Sequence, residues 1–116
     1  MMRWWKRMWR HGETLWHVLR GQVYRAETVE WLPPLTQLHQ ARVYLVGEVG
    51  APWQAAFLCP CGCRSLIQLN LLPDAKPRWQ YRLARWGEVT LAPSVWRNMG
   101  CRSHFVMRKG RIRWCL

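Results

Sequence analysis

The sequence predicts a mainly β fold: a small antiparallel sheet or partly open barrel, stapled by a cysteine-rich zinc site and preceded by an amphipathic helix. Three observations carry this. Short apolar runs with strand-like alternation recur from Gln22 onward, turn-forming residues separate them, and Cys59, Cys61 and Cys63 crowd into five residues while Cys101 follows about forty residues later. At 116 residues the chain has room for one domain with a modest core, so an added cross-link is physically useful.

In residues 1–20, Trp4, Trp5, Met8, Trp9, Leu15, Trp16 and Leu19 recur at helical spacing, with Arg3, Lys6, Arg7 and Arg10 largely elsewhere. This predicts a basic, Trp-rich amphipathic helix, interrupted at Gly12, that covers the sheet. The segment is too charged to span a bilayer or to act as a secretory signal. Residues 21–116 then form a single zinc-binding β domain. Strand-like runs fall at residues 22–31, 41–49, 54–59, 64–72, 78–86, 88–92, 104–108 and 111–115. Breaks lie at Pro33-Pro34, Gly50-Ala51-Pro52, Pro73-Asp74, Gly87, Asn98-Met99-Gly100 and Lys109-Gly110, which are poor places to continue a ladder. Six to eight strands are expected, and ten tryptophans are expected to fill much of so small a core.

The formal charge is +12, from 18 Lys and Arg against 6 Asp and Glu. Such a field predicts an acidic partner, and nucleic acid, an anionic membrane surface or an acidic protein would each satisfy it. The five cysteines, odd in number and crowded, argue against a disulfide framework and for a reducing cytoplasm.

In an extended segment Cys59, Cys61 and Cys63 share a face, while Pro60 and Gly62 permit a tight turn; either arrangement presents thiolates together. Zinc takes four Cys or His ligands in a tetrahedron, and Cys101-Arg102-Ser103-His104 offers two more. The favoured set is Cys59, Cys61, Cys63 and Cys101, with His104 in place of one cysteine as the alternative. Cys115, near the chain end, reads as a thiol without a role.

Residues 88–110 read as a hairpin turning at Asn98-Met99-Gly100. A four-residue loop sets Ser94 opposite Ser103, and one more residue sets it opposite His104. Either register brings a serine near His104, the one histidine beyond the first forty residues. A serine hydroxyl becomes nucleophilic when a base within hydrogen-bond reach takes its proton and a carboxylate orients that base. Glu48, which follows the apolar strand Val43-Tyr44-Leu45-Val46, is the candidate orienter.

The Cys59-Pro60-Cys61-Gly62-Cys63 cluster, Pro93-Ser94-Val95 and Cys101-Arg102-Ser103-His104-Phe105 occur in an order that resembles domain-of-unknown-function family 6527, over about Glu27 to Trp114. Members of that family are often encoded beside bacterial ubiquitin-like proteins and E1-like and E2-like enzymes. The resemblance implies a peptidase for such modifiers and their conjugates. It also implies a structural metal framework of Cys59, Cys61, Cys63 and Cys101, and a reactive centre of Ser94, Ser103 and His104 with Glu48 in support. The chain departs from the pattern at Arg64, in a shortened loop between Ser94 and Cys101, and in residues 1–20, which lie outside it. The competing function, from charge and aromatic content, is a zinc-stapled module that binds nucleic acid or an acidic protein. Catalytic zinc ranks last, since several thiolates make the ion a poor Lewis acid.

Overall fold

A computed structural model describes residues 22–98 and 100–115, so the helix expected over residues 1–20 lies outside the described residues. The protein is mainly β, with eight strands in two four-stranded sheets. The first sheet has the order β1-β2-β3-β4, from β1 Arg25–Val29, β2 Arg42–Glu48, β3 Ala51–Leu58 and β4 Leu66–Asn70. The second has the order β5-β6-β7-β8, from β5 Gln80–Leu83, β6 Val89–Trp96, β7 His104–Arg108 and β8 Arg111–Trp114. No helix among the described residues is long and apolar enough to cross a membrane.

All pairings are antiparallel except the first, since β1 runs parallel to β2. The reason is the connection between them. Residues 30–41 hold Pro33-Pro34 and a single 3-10 turn at Leu35–Gln37, which is the length a crossover needs and far more than a hairpin uses. This crossover covers the outer face of the first sheet: Leu38 packs with Tyr44, Val46 and Leu58, and with Val29 and Leu32. Val43 and Leu45 face the main core instead. The run Val43-Tyr44-Leu45-Val46 is therefore apolar on consecutive residues because β2 is buried on both faces.

The main core lies between the sheets. Tyr24, Phe57, Ile67 and Leu69 meet Val89, Leu91, Val95, Phe105 and Met107, and edge-to-face contacts run from Tyr24 to Phe57 to Phe105 at 6.3 and 6.2 Å. Tryptophan does not fill this core. Trp31, Trp86 and Trp96 are 79, 68 and 66% exposed, and Trp53 and Trp114 are also exposed, leaving only Trp79 partly buried among the described tryptophans. Phenylalanine and tyrosine rings with aliphatic side chains suffice for two sheets this small.

A backbone seam also joins the sheets. Tyr24 N–H donates to Gly110 O at 2.7 Å, Val89 N–H to Tyr24 O at 3.0 Å, and Gly110 N–H to Val89 O at 2.7 Å. Gly110 sits at φ +77°, and a Cβ there would lie 2.7 Å from Val23 Cγ1 and 2.8 Å from Tyr24 O. Gly110→Ala should therefore destabilise the fold by about 2–4 kcal/mol, from left-handed strain plus overpacking, which a denaturant titration would read as a lowered midpoint.

Candidate active site and cysteine cluster

Two hairpin turns, one from each sheet, converge at the same end of the molecule. The β3–β4 turn closes with Cys59 N–H on Ser65 O at 2.8 Å, and inside it Gly62 N–H donates to Cys59 O at 3.1 Å. Gly62 takes φ +91° there, so the tight turn that presents the thiols depends on it. The β6–β7 turn closes with Arg97 N–H on Ser103 O at 2.8 Å and carries Cys101. The sulfurs of Cys59, Cys61, Cys63 and Cys101 all lie within 4.8 Å of one another. Cys59 Sγ is 3.4 Å from Cys61 Sγ and 3.6 Å from Cys101 Sγ. A disulfide needs about 2.05 Å, whereas four sulfurs at about 2.3 Å from a tetrahedral ion stand about 3.8 Å apart. The four thiols are thus free and spaced for a metal ion.

The surroundings favour the thiolate at Cys101 and Cys63 and oppose it at Cys59 and Cys61, where burial dominates. Arg97 Nη1 lies 3.7 Å from Cys63 Sγ and 3.5 Å from Cys101 Sγ. Ser103 Oγ is 3.1 Å from Cys101 Sγ. Burial opposes ionisation of Cys101, but the Ser103 side chain and backbone, with the Cys59 and Cys61 thiols, outweigh it and draw its pKa down to about 6. Burial pushes Cys59 up to about 12. A metal ion must displace the Cys59 proton at neutral pH, so affinity falls as protons become more available. Lowering pH from about 8 to about 5 should release bound metal, read as a loss of metal retained on desalting.

His104 takes no part in the cluster, which corrects the alternative in which it replaces a cysteine. Successive side chains of a strand point to opposite faces. Ser103 is buried towards the cysteines, so His104 points the other way, and its Nε2 lies 3.0 Å from Ser94 Oγ. Neither anticipated register is observed. Arg97 pairs with Ser103 across a longer turn, Trp96 stands opposite His104, and a register shift between Leu91 and Val95 lets Ser94 reach the imidazole diagonally.

The indole of Trp96 stacks on the His104 ring, with centroids 5.0 Å apart and planes 15° from parallel. The Trp79 indole N–H donates to Ser94 O at 3.3 Å, holding the serine's backbone from the other side. Glu48 does not join this group. It ends β2 beside Ala51, at the opposite end of β3 from Cys59, roughly 26 Å along the strand. There it lines a pocket with Glu30, Trp31, Val49 and Trp53, and among the described residues no carboxylate is hydrogen-bonded to His104. Trp96, Trp79 and Arg97 were not anticipated. Trp96 alone had a signal, two residues after Ser94 and so on the same face of β6.

Residues 28–115 match the family model described as bacterial ubiquitination-like system serine protease, BubE. The chain belongs to the BubE family. That match covers most of the sequence and both hairpin turns, so the hydrogen-bonded serine and histidine lie in a member of a serine protease family. It agrees with the ubiquitin-like context of the earlier resemblance, although the matching model is BubE and not family 6527. No curated protein and no solved structure gives a significant match.

Proposed function

We propose that this BubE-family chain is a serine peptidase that cleaves after the C-terminal tail of a bacterial ubiquitin-like protein, maturing its precursor or releasing it from conjugates. The observation that carries the reading is the 3.0 Å contact between Ser94 Oγ and His104 Nε2. In the first step His104 Nε2 takes the hydroxyl proton as Oγ bonds to the tail carbonyl carbon. The imidazolium then gives that proton to the leaving amine as the C–N bond breaks. Water, deprotonated by His104, attacks the resulting ester, and the proton returns to Ser94 as the tail leaves as a carboxylic acid. Ser103 has no part in this, since its hydroxyl is committed to Cys101.

Among the described residues no carboxylate is hydrogen-bonded to His104, and the stacked Trp96 ring orients the imidazole. Trp96→Ala should lower kcat about tenfold with little change in KM, and Trp96→Phe should restore much of the loss, as steady-state kinetics would show.

The cysteine cluster is read as a structural zinc site. Four thiolates complete a tetrahedron and leave no position for substrate, and the ion would supply only a cross-link between the β3–β4 and β6–β7 turns. Cys59, Cys61, Cys63 and Cys101 would hold it, keeping the His104 strand in register with Ser94. The function is tested by incubating the protein with ubiquitin-like proteins extended at their C termini by a reporter. Release of the reporter at the end of the tail supports the reading, and an uncut fusion rejects it. A cytoplasmic setting, with E1-like and E2-like proteins as further partners, belongs to the same proposal.

One observation favours the second reading, a nucleic-acid or acidic-protein module. Trp31 and Trp86 are exposed on a chain of charge +12, and the Arg85 guanidinium lies 5.1 Å from the centre of the Trp86 ring. Salt-sensitive binding of single-stranded DNA by a chain that cuts no modifier would favour it.

A further inference from the structure

A groove of about 670 Å³ begins two residues from the Ser94 nucleophile. Its walls are Pro52 from β3 and Leu71 and Leu72 from the segment that follows β4, with Trp79 just before β5, Tyr81 from β5 and Ala92 from β6. Arg78 and Arg82 line it as well, no acidic residue does, and among the described residues neither arginine is in an ion pair. The volume is in the range of clefts that take small ligands or short peptide segments, roughly 300–1,000 Å³.

The strand pairing aims this groove at the reacting bond. β5 ends its pairing with β6 at Gln80–Ala92, so along Pro93–Trp96 the strand has a strand partner, β7, on one side only. Arg97 hydrogen-bonds to Ser103 across that pair, while His104 O accepts from Cys115 N–H on the β8 side. In an antiparallel pair the backbone groups alternate, which turns those of Ser94 and Trp96 away from β7 and towards the side where the groove lies. Ser94 O already meets the Trp79 indole there. An extended chain lying in the groove would reach Ser94 as an added strand, with main-chain bonds giving affinity and side-chain pockets giving selectivity.

We infer that this groove receives the acyl-side tail of the substrate in extended form, and that Arg78 and Arg82 select tails carrying a carboxylate side chain near the scissile bond. The inference rests on the peptidase reading in one respect: the modifier's tail is the acyl half in both maturation and deconjugation, so one groove serves both. Charge complementarity supplies the rest, because two cations over an apolar floor with no acid to neutralise them favour an anionic segment.

The test uses the full-length Ser94→Ala protein, so that binding is read without turnover. Fluorescence anisotropy would compare a labelled extended peptide bearing two glutamates with its diglutamine counterpart. The glutamate peptide should bind about five- to tenfold more tightly, and Arg78→Gln with Arg82→Gln should abolish that preference while the melting temperature holds. Equal binding of the two peptides, or a preference that survives both arginine substitutions, overturns the inference. Labelling of wild-type Ser94 by a fluorophosphonate reports separately on the peptidase reading. Failure to label with the peptide preference intact would reject the nucleophile and leave the groove standing.

Discussion

Ser94→Ala should reduce cleavage of a ubiquitin-like precursor by about 10⁴-fold or more while metal content and melting temperature stay at wild-type values. The serine is only partly buried, and its hydroxyl contact is to His104, so its removal costs the fold little. Ser103→Ala should do the reverse. Its hydroxyl is buried against Cys101 and Cys59, so the variant should keep most activity per folded molecule and bind metal more weakly. Comparing the two by turnover and by elemental analysis separates nucleophile from cluster. An inactive Ser103→Ala with full metal occupancy, beside an active Ser94→Ala, would exchange the two roles.

The second large effect is expected at Cys101, the one cluster residue contributed by the second sheet. Cys101→Ser should drop bound metal below stoichiometric amounts and lower the melting temperature by more than about 10 °C, because metal binding is coupled to folding free energy in a domain this small. Activity should fall with it, since the Cys101 turn holds the start of β7 and therefore His104. Cys115→Ser is the control: its side chain lies outside the cluster, so metal content should not change. A Cys101→Ser protein with wild-type metal content and stability would refute the cross-link.

The mainly β fold was legible because each strand carries its own alternation and each break its own turn residues. The Pro33-Pro34 crossover was not, since apolar alternation is the same for parallel and antiparallel neighbours, and only the length of residues 30–41 distinguishes them. Docking of the two sheets on each other uses the seam from Tyr24 to Gly110, a backbone contact with no side-chain pattern. Around the candidate site, the grouping of cysteines was legible because turn chemistry and ligand type coincide at Cys59-Pro60-Cys61-Gly62-Cys63. Proximity of Ser94 and His104 was also legible from the hairpin, but not their register, which a strand irregularity near Pro93 sets. The signal at Glu48 is that it follows a buried strand, which places a residue near a sheet without saying at which end. The exposure of the tryptophans is not legible in the sequence, because composition reports how much aromatic surface exists and not which side of the sheet receives it.

Acid-quenched mixing with a ubiquitin-like precursor, followed by peptide mapping by mass spectrometry, tests the central claim most directly. Acyl transfer through Ser94 predicts the modifier's tail joined by an ester to the fragment containing Ser94, and no adduct in His104→Ala. An adduct on Ser103 or on a cysteine, or turnover with no covalent species while Ser94→Ala remains active, would contradict it.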